Sequence, residues 1–238
     1  MEKRVSSIAG SPSPKTQLDE LSFWQYSPES WNLHMPRYRL LFPFRSIDYN
    51  AEILDIGSGP RSVFEEVAPA VAKITACDTL AEQYNQLLKV KRFPIVAKVP
   101  KKRFALITMF NMIDHMDDPE ELLAQMSEHL DDNGRLWLYV DLDRPWDKSK
   151  HPQCFRFWQV APLMQQFFTI TACGLDSEAP NLNAFWCICK PKANREMPTL
   201  WWSTKLGVIY GRNFIRRVYL AIMRRLVFAR TNATRLPR

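Results

Sequence analysis

The sequence predicts an α/β chain built on a mostly parallel sheet with helices on both faces. Three observations predict it. Short apolar runs alternate with amphipathic stretches along the middle of the chain; the first run ends in an acid and a glycine turn, "AEILDIGSGPRS"; and a second run ends in another acid at Asp78. Strands that read as nearly continuous apolar runs are buried on both faces, and helices between them supply the cover.

The elements follow in order. Residues 51–57, "AEILDIG", read as a strand, 60–72, "PRSVFEEVAPAVA", as a helix, and 73–78, "KITACD", as a strand. "TLAEQYNQLLKV" is a helix, "RFALITMF" a strand, and "DPEELLAQMSEHL" a helix with Asp118 as N-cap and Pro119 in its first position. "GRLWLYVDL" is a further strand, preceded by a weak "NGR" turn. "FRFWQVAPLMQQFF" is a last helix, and "TITACGL" and "NAFWCICKP" close the sheet. Upstream, residues 1–17 are rich in Ser, Pro and Lys and read as disordered, and residues 18–49 as short helices broken by Pro28, Pro36 and Pro43, forming a lid on the main domain at 50–192. Residues 193–238 form a basic extension.

Composition narrows the setting. The 238 residues carry a formal charge of +7, yet ten basic residues and a single acid fall after residue 192, so the body is close to neutral. Five scattered cysteines with no C-x-x-C pair give neither zinc spacing nor a disulfide framework, and the expected compartment is the cytoplasm. The N-terminus has no apolar signal core, and no group of residues has metal-ligand spacing, so no metal is expected.

Gly57 and Gly59 let a ligand approach the backbone closely, because glycine has no Cβ and tolerates positive φ. A dinucleotide fingerprint wants a third Gly or Ala, and here Ser62 stands in that place. Asp55 on the strand and Asp78, nineteen residues past Gly59, sharpen the partial motif: a carboxylate beside a glycine turn suits a cation or amine, and an acid at that later distance suits ribose hydroxyls.

These residues resemble the class I S-adenosylmethionine-dependent methyltransferases. "ILDIGSGP" looks like their first motif and "ITACD" like their second strand. "NMIDHMDDP" with the following helix is similar to the run after the fourth strand in the small-molecule branch. The resemblance covers about residues 50–190 and implies a Rossmann-like, seven-stranded sheet and S-adenosylmethionine as cofactor. It places the methionine portion against Gly57 and Gly59, its amino group near Asp55 and the ribose on Asp78, with Asn111 as a further cofactor contact. One departure stands out. Relatives carry an acid between the third and fourth strands that reads the adenine amino group, whereas residues 90–104 here contain lysines and no acid; backbone groups and apolar side chains such as Val96 or Val99 are left for that task. A non-catalytic binding or scaffold protein on the same fold is the rival reading.

Methyl transfer to a hydroxyl needs a base titrating near neutrality. His115, beside Asp114, follows the fourth strand at the edge where open α/β sheets bind ligands; the alternative is a loop histidine that packs on the cofactor without moving a proton. His151 is a second candidate, or a turn residue before Pro152. His34, Arg37 and Tyr38 are candidate acceptor contacts from the lid, with Arg37 pairing with a carboxylate. The base-methylating signatures "DPPY" and "NPPY" are absent after the fourth strand, so nucleic acid is not the expected partner; a small molecule or a saccharide is.

In the tail, Ile215, Val218, Tyr219, Ile222 and Leu226 align on one side of a helix, with Arg212, Arg216, Arg217, Arg224, Arg225 and Arg230 elsewhere around it. A basic amphipathic helix preceded by Trp201 and Trp202 describes an interfacial segment on an anionic membrane surface over 201–230. Docking on the domain, or dimerisation, is the alternative. The expected function is O-methylation of a small or glycan-like acceptor near a membrane, as in surface-polysaccharide or glycolipid assembly.

Overall fold

A computed structural model of the chain describes residues 8, 12–26, 31–87, 93–142, 152–176 and 183–192. Seven strands form one sheet: β1 (Ile53–Ile56), β2 (Ile74–Cys77), β3 (Ile95–Val96), β4 (Phe104–Phe110), β5 (Leu130–Leu142), β6 (Phe168–Asp176) and β7 (Asn183–Pro191). Their order across the sheet is β3-β2-β1-β4-β5-β7-β6. The first five are parallel, and β7 runs antiparallel between β5 and β6. The order in which strands are added reverses at β1, with β2 and β3 on one side and β4 and β5 on the other, and the carboxyl ends of β1 and β4 open a crevice there.

Register decides what faces what. Ile53 pairs with Leu106 and Asp55 with Thr108, so these four side chains share one face of the sheet. That face is covered by α2 (Trp31–Leu41); its Tyr38, and Phe42 just past its end, pack on Phe110, Trp137 and Tyr139. Tyr38 and Phe110 lie 4.4 Å apart between ring centroids, and Phe42 stacks on Trp137 at 5.3 Å. Pro36 is tolerated inside this helix. The alternate set, including Leu54, Ile56, Ile107, Met109 and Leu138, is fully buried on the opposite face. There α4 (Pro119–His129) contributes buried Leu122, Leu123 and Met126, and α5 (Phe157–Phe167) contributes Val160 and Met164.

Two further helices flank the crevice. The helix α3 (Ala81–Leu87) follows β2, and α1 (Pro14–Tyr26) rests on it, placing Leu21 and Trp24 against the cluster of Ala81 and Tyr84. The helix therefore begins at Pro14, inside the segment expected to be disordered.

Two local expectations are corrected. Residues 60–72 do not form a helix; residues 63–67 turn tightly, with bonds such as Glu65 N–H to the Ser62 carbonyl. Pro69 removes a backbone donor and excludes the preceding residue from helical geometry, and Asp55 takes the Val63 N–H for itself. The "NGR" turn is also absent as such: β5 begins directly at Leu130, and the ladder with β4 shifts register between Phe104 and Leu106 to absorb Asp131–Gly134. By contrast, Asp118 caps α4 as expected, accepting from Glu121 N–H at 3.0 Å, with Pro119 next. The extension 193–238 lies outside the described residues.

Thr108 is fully buried, and its hydroxyl donates to Asp55 Oδ1 at 2.7 Å. Replacing it with isosteric valine keeps the volume and removes a donor from a buried carboxylate. Thr108→Val is expected to lower the unfolding free energy by about 2 kcal/mol, measured by urea denaturation; a change below about 0.5 kcal/mol would show that Asp55 does not depend on this bond.

Candidate functional site

The chain leaves β1 through a glycine turn shaped by one buried carboxylate. Asp55 is 1 % exposed. Its Oδ2 accepts from the Ser62 hydroxyl at 2.7 Å and from Val63 N–H at 3.0 Å, and its Oδ1 accepts from Thr108. These bonds draw residues 62–63 back over the end of β1. Between them the backbone adopts φ of +68° at Gly57 and +61° at Gly59, which favours glycine at both. A Cβ on Gly57 would come within 2.8 Å of the Met112 side chain. Asp55 was expected beside a ligand amine; it faces the fold instead and serves as the latch that makes the turn.

Asp78 stands at the end of β2, across the turn. Its Oδ2 accepts from Gly59 N–H at 3.0 Å and its Oδ1 from Leu80 N–H at 2.9 Å. Burial raises its pKa to about 6; the two backbone bonds oppose that shift, and the charges of Glu20 and Asp55 add to it. Asp55 is also raised to about 6, because burial outweighs the stabilisation its three donors give the anion.

A cavity opens between these groups and the loop after β4. Gly57, Asp78, Thr79 and Leu80 form one wall, and Asn111, Met112, His115 and Met116 form another. Asn111 holds φ of +49° and donates its N–H to the Tyr139 carbonyl at 2.8 Å. Its side-chain oxygen is buried and has no hydrogen-bond partner among the described residues. A left-handed asparagine with an unsatisfied acceptor at a cavity wall is stored cost that a donor on a ligand would relieve.

His115 closes the 3-10 turn Ile113–His115 and lines the cavity. Asp114, 1 % exposed, sits behind it, with 3.9 Å between His115 Nε2 and Asp114 Oδ2. That is beyond hydrogen-bond length, so the pair is an electrostatic neighbour contact. The Asp114 carbonyl also receives Gln153 N–H, tying the turn to the segment before α5.

The remaining expected residues divide. Arg37 does pair with a carboxylate, but the partner is the protein's own Asp176, reached by Nε at 3.1 Å and by a second guanidinium nitrogen at 3.2 Å. Tyr139 donates its hydroxyl to the same carboxylate at 3.1 Å. Tyr38, expected as an acceptor contact, is instead a core residue, because its ring is needed to fill the space between Phe110 and Tyr139. Val99 is fully buried, and neither it nor Val96 lines the cavity. His34 lies on α2 with its side chain outside the described residues, and His151 falls outside them too. No metal-ligating cluster of three or more side chains occurs among the described residues.

Residues without a motif complete the cavity. Thr16, Gln17 and Glu20 of α1 line it, together with Ile8 and Pro12. Trp24, one turn further on, donates its ring N–H to Glu20 Oε1 at 2.7 Å and lies against Gly59. Only the helical spacing of Thr16, Glu20 and Trp24 hints at this, and many surface helices carry such spacing.

Because a carboxyl with a raised pKa favours its protonated form in the folded state, it contributes stability below about pH 4 that is lost as pH rises through 6. Asp55→Asn does not titrate. The difference in unfolding free energy between this variant and the wild type is therefore expected to move in the variant's favour from pH 4 to pH 7, by on the order of 3 kcal/mol. Parallel pH profiles would contradict the assignment.

The sequence matches the family model for a methyltransferase domain over residues 31–184. No curated protein matches it. Among solved structures, the 1,6-didemethyltoxoflavin-N1-methyltransferase of Burkholderia thailandensis, solved with 1,6-didemethyltoxoflavin and S-adenosylhomocysteine, superposes with a TM-score of 0.58 at 16% identity, covering 75% of this chain and 88% of that one. The [4+2]-cyclase SpnF superposes at 0.59 with 13% identity, over 79% of this chain and 100% of that one. A TehB-like SAM-dependent methyltransferase from Corynebacterium glutamicum gives 0.50 at 16% identity, over 76% and 100%. At such identities these likenesses show the fold.

Proposed function

Since the chain belongs to the methyltransferase-domain family, with the class I fold, we propose that it transfers a methyl group from S-adenosylmethionine to a hydroxyl of a small or glycan-like acceptor. The observation that carries the cofactor is the cavity itself. A turn that no Cβ would fit, an acid at ribose distance and an orphaned acceptor on Asn111 converge on one space. Structures on this fold that hold S-adenosylhomocysteine support the same reading.

When bound, the cofactor supplies an electrophilic methyl on a sulfonium. What the chain supplies is position. Gly57 and Gly59 would take the methionine portion against the backbone, the Asn111 oxygen would accept from its amino group, and Asp78 would accept from the ribose hydroxyls. Leu80, Met112 and Met116 give apolar walls that exclude water. Holding donor and acceptor in near-attack geometry supplies several kcal/mol of the barrier.

His115 is the base of this proposal. From the cavity wall its ring would take the hydroxyl proton of the acceptor as the oxygen–methyl bond forms and the sulfonium–methyl bond breaks. The acceptor side rests on different ground: what supports a lipid-linked saccharide at a membrane surface is the basic amphipathic pattern of residues 201–230.

Two measurements test the proposal. With methyl-labelled S-adenosylmethionine and a glycolipid pool, His115→Ala is expected to lower kcat by roughly 10²–10⁴-fold, with cofactor affinity unchanged. Full turnover in that variant would remove the base. The full-length chain is expected to co-sediment with anionic vesicles, and less so as salt rises, because exposed charge is screened within about 10 Å at 0.1 M. A chain ending at Lys192 should stay in the supernatant; equal sedimentation of the two would discard the membrane reading.

A further inference from the structure

The cavity holds an acid that neither the motifs nor the proposed mechanism uses. Glu20 projects from α1 into the space also lined by Asp78, and its negative charge is one of the causes that raise the Asp78 pKa. The side chain is fixed in place. Trp24, one turn along the helix, donates to Glu20 Oε1 and rests against Gly59, which itself donates to Asp78. Glu20, Trp24, Gly59 and Asp78 thus form a chain of contacts that spans one end of the cavity.

Two carboxylates facing one confined space repel each other unless donors lie between them. The protein supplies few. Glu20, Asp78 and the Asn111 oxygen are acceptors when the acids are ionised; of the other polar groups lining the cavity beside them, Gln17 donates its amide to the Pro12 carbonyl and the Thr16 hydroxyl is paired with Ser13. Strand β3, beside Asp78, contributes no side chain to the cavity, and residues 90–104 contain lysines but no acid. Among the described residues lining this cavity, the carboxylates are Asp78 and Glu20 of α1.

Resting on the proposed cofactor, we infer that Glu20 is a cofactor-contacting residue. Its carboxylate accepts hydrogen bonds from the nucleoside half of S-adenosylmethionine, beside those accepted by Asp78. Its Oε1 is held by Trp24, and Oε2 carries the contact. The donors available on a nucleoside are the ribose hydroxyls and the adenine amino group, and both are neutral, so the pair of acids is matched by hydrogen bonding rather than by a counter-charge. A consequence is that α1 is a wall of the cofactor site and docks as part of it.

Calorimetry with S-adenosylhomocysteine tests this on the full chain. Glu20→Gln keeps an oxygen for the Trp24 ring N–H but turns an NH2 toward the ligand's donors. It is expected to weaken binding roughly ten- to hundredfold, the loss associated with a hydrogen bond to a charged group, while the melting temperature stays within a few degrees of wild type. S-inosylhomocysteine, which has a carbonyl in place of the adenine amino group, separates the two sources. If Glu20 reads the amino group, the loss caused by Glu20→Gln disappears or reverses with this analogue, because the Gln NH2 can donate to the carbonyl; if it reads the ribose, the variant weakens both ligands in parallel. Glu20→Gln binding S-adenosylhomocysteine within twofold of wild type, with Asp78→Ala impaired, would overturn the inference and leave the proposed function intact. Wild-type protein that binds no S-adenosylhomocysteine would overturn both.

Discussion

Asp55 is buried at the carboxyl end of β1 with three donors drawn onto its two oxygens. The donors come from two directions: Thr108 from the neighbouring strand, Ser62 and Val63 from the chain that has just turned back. Satisfying a buried carboxylate is obligatory, since the desolvation cost of leaving it bare is several kcal/mol. The chain must therefore reverse within a few residues, and the reversal passes through two positive φ angles that glycine provides. The turn, the close approach of Met112 and the placement of Asp78 on the Gly59 N–H all follow from that one requirement.

The same geometry explains how a protein with so few motif residues builds a ligand cavity. Side chains are excluded at Gly57, so backbone and acceptor atoms face the space, and the walls are closed by residues from β4's loop and from α1. Backbone at the floor gives close approach, and Glu20, Asp78 and His115 line the space around it. The Arg37–Asp176–Tyr139 network performs a different task. It ties α2 to the ends of β5 and β6 through a charge that is largely buried, holding in place the helix that packs on the crevice-bearing sheet.

Much of this was legible in the sequence, and what was not has physical causes. The strands could be read because both faces are buried, which leaves continuous apolar runs such as "ILDI" and "FALITMF". Gly57, Gly59 and Asp78 could be read because their spacing is fixed by strand length. Residues 60–72 misled because their apolar spacing is helical, while Pro69 and the pull of Asp55 on Val63 forbid the helix. The bonds that Asp55 makes within the turn are not legible for a related reason: its partners Ser62 and Thr108 are ordinary residues whose meaning depends on register. Arg37 finds Asp176 across 139 positions, and Glu20 meets Asp78 only through the docking of α1. No local pattern announces contacts of that kind.

The central claim is that the turn held by Asp55 is the floor of a cofactor site. Its most direct test is a titration of ¹⁵N-labelled protein with S-adenosylhomocysteine, followed by amide chemical shifts. The account predicts that the largest changes fall on Gly57, Gly59, Asp78 and Asn111, saturating together at one affinity. Saturable binding that leaves those four amides unmoved, or no binding at all, would contradict it.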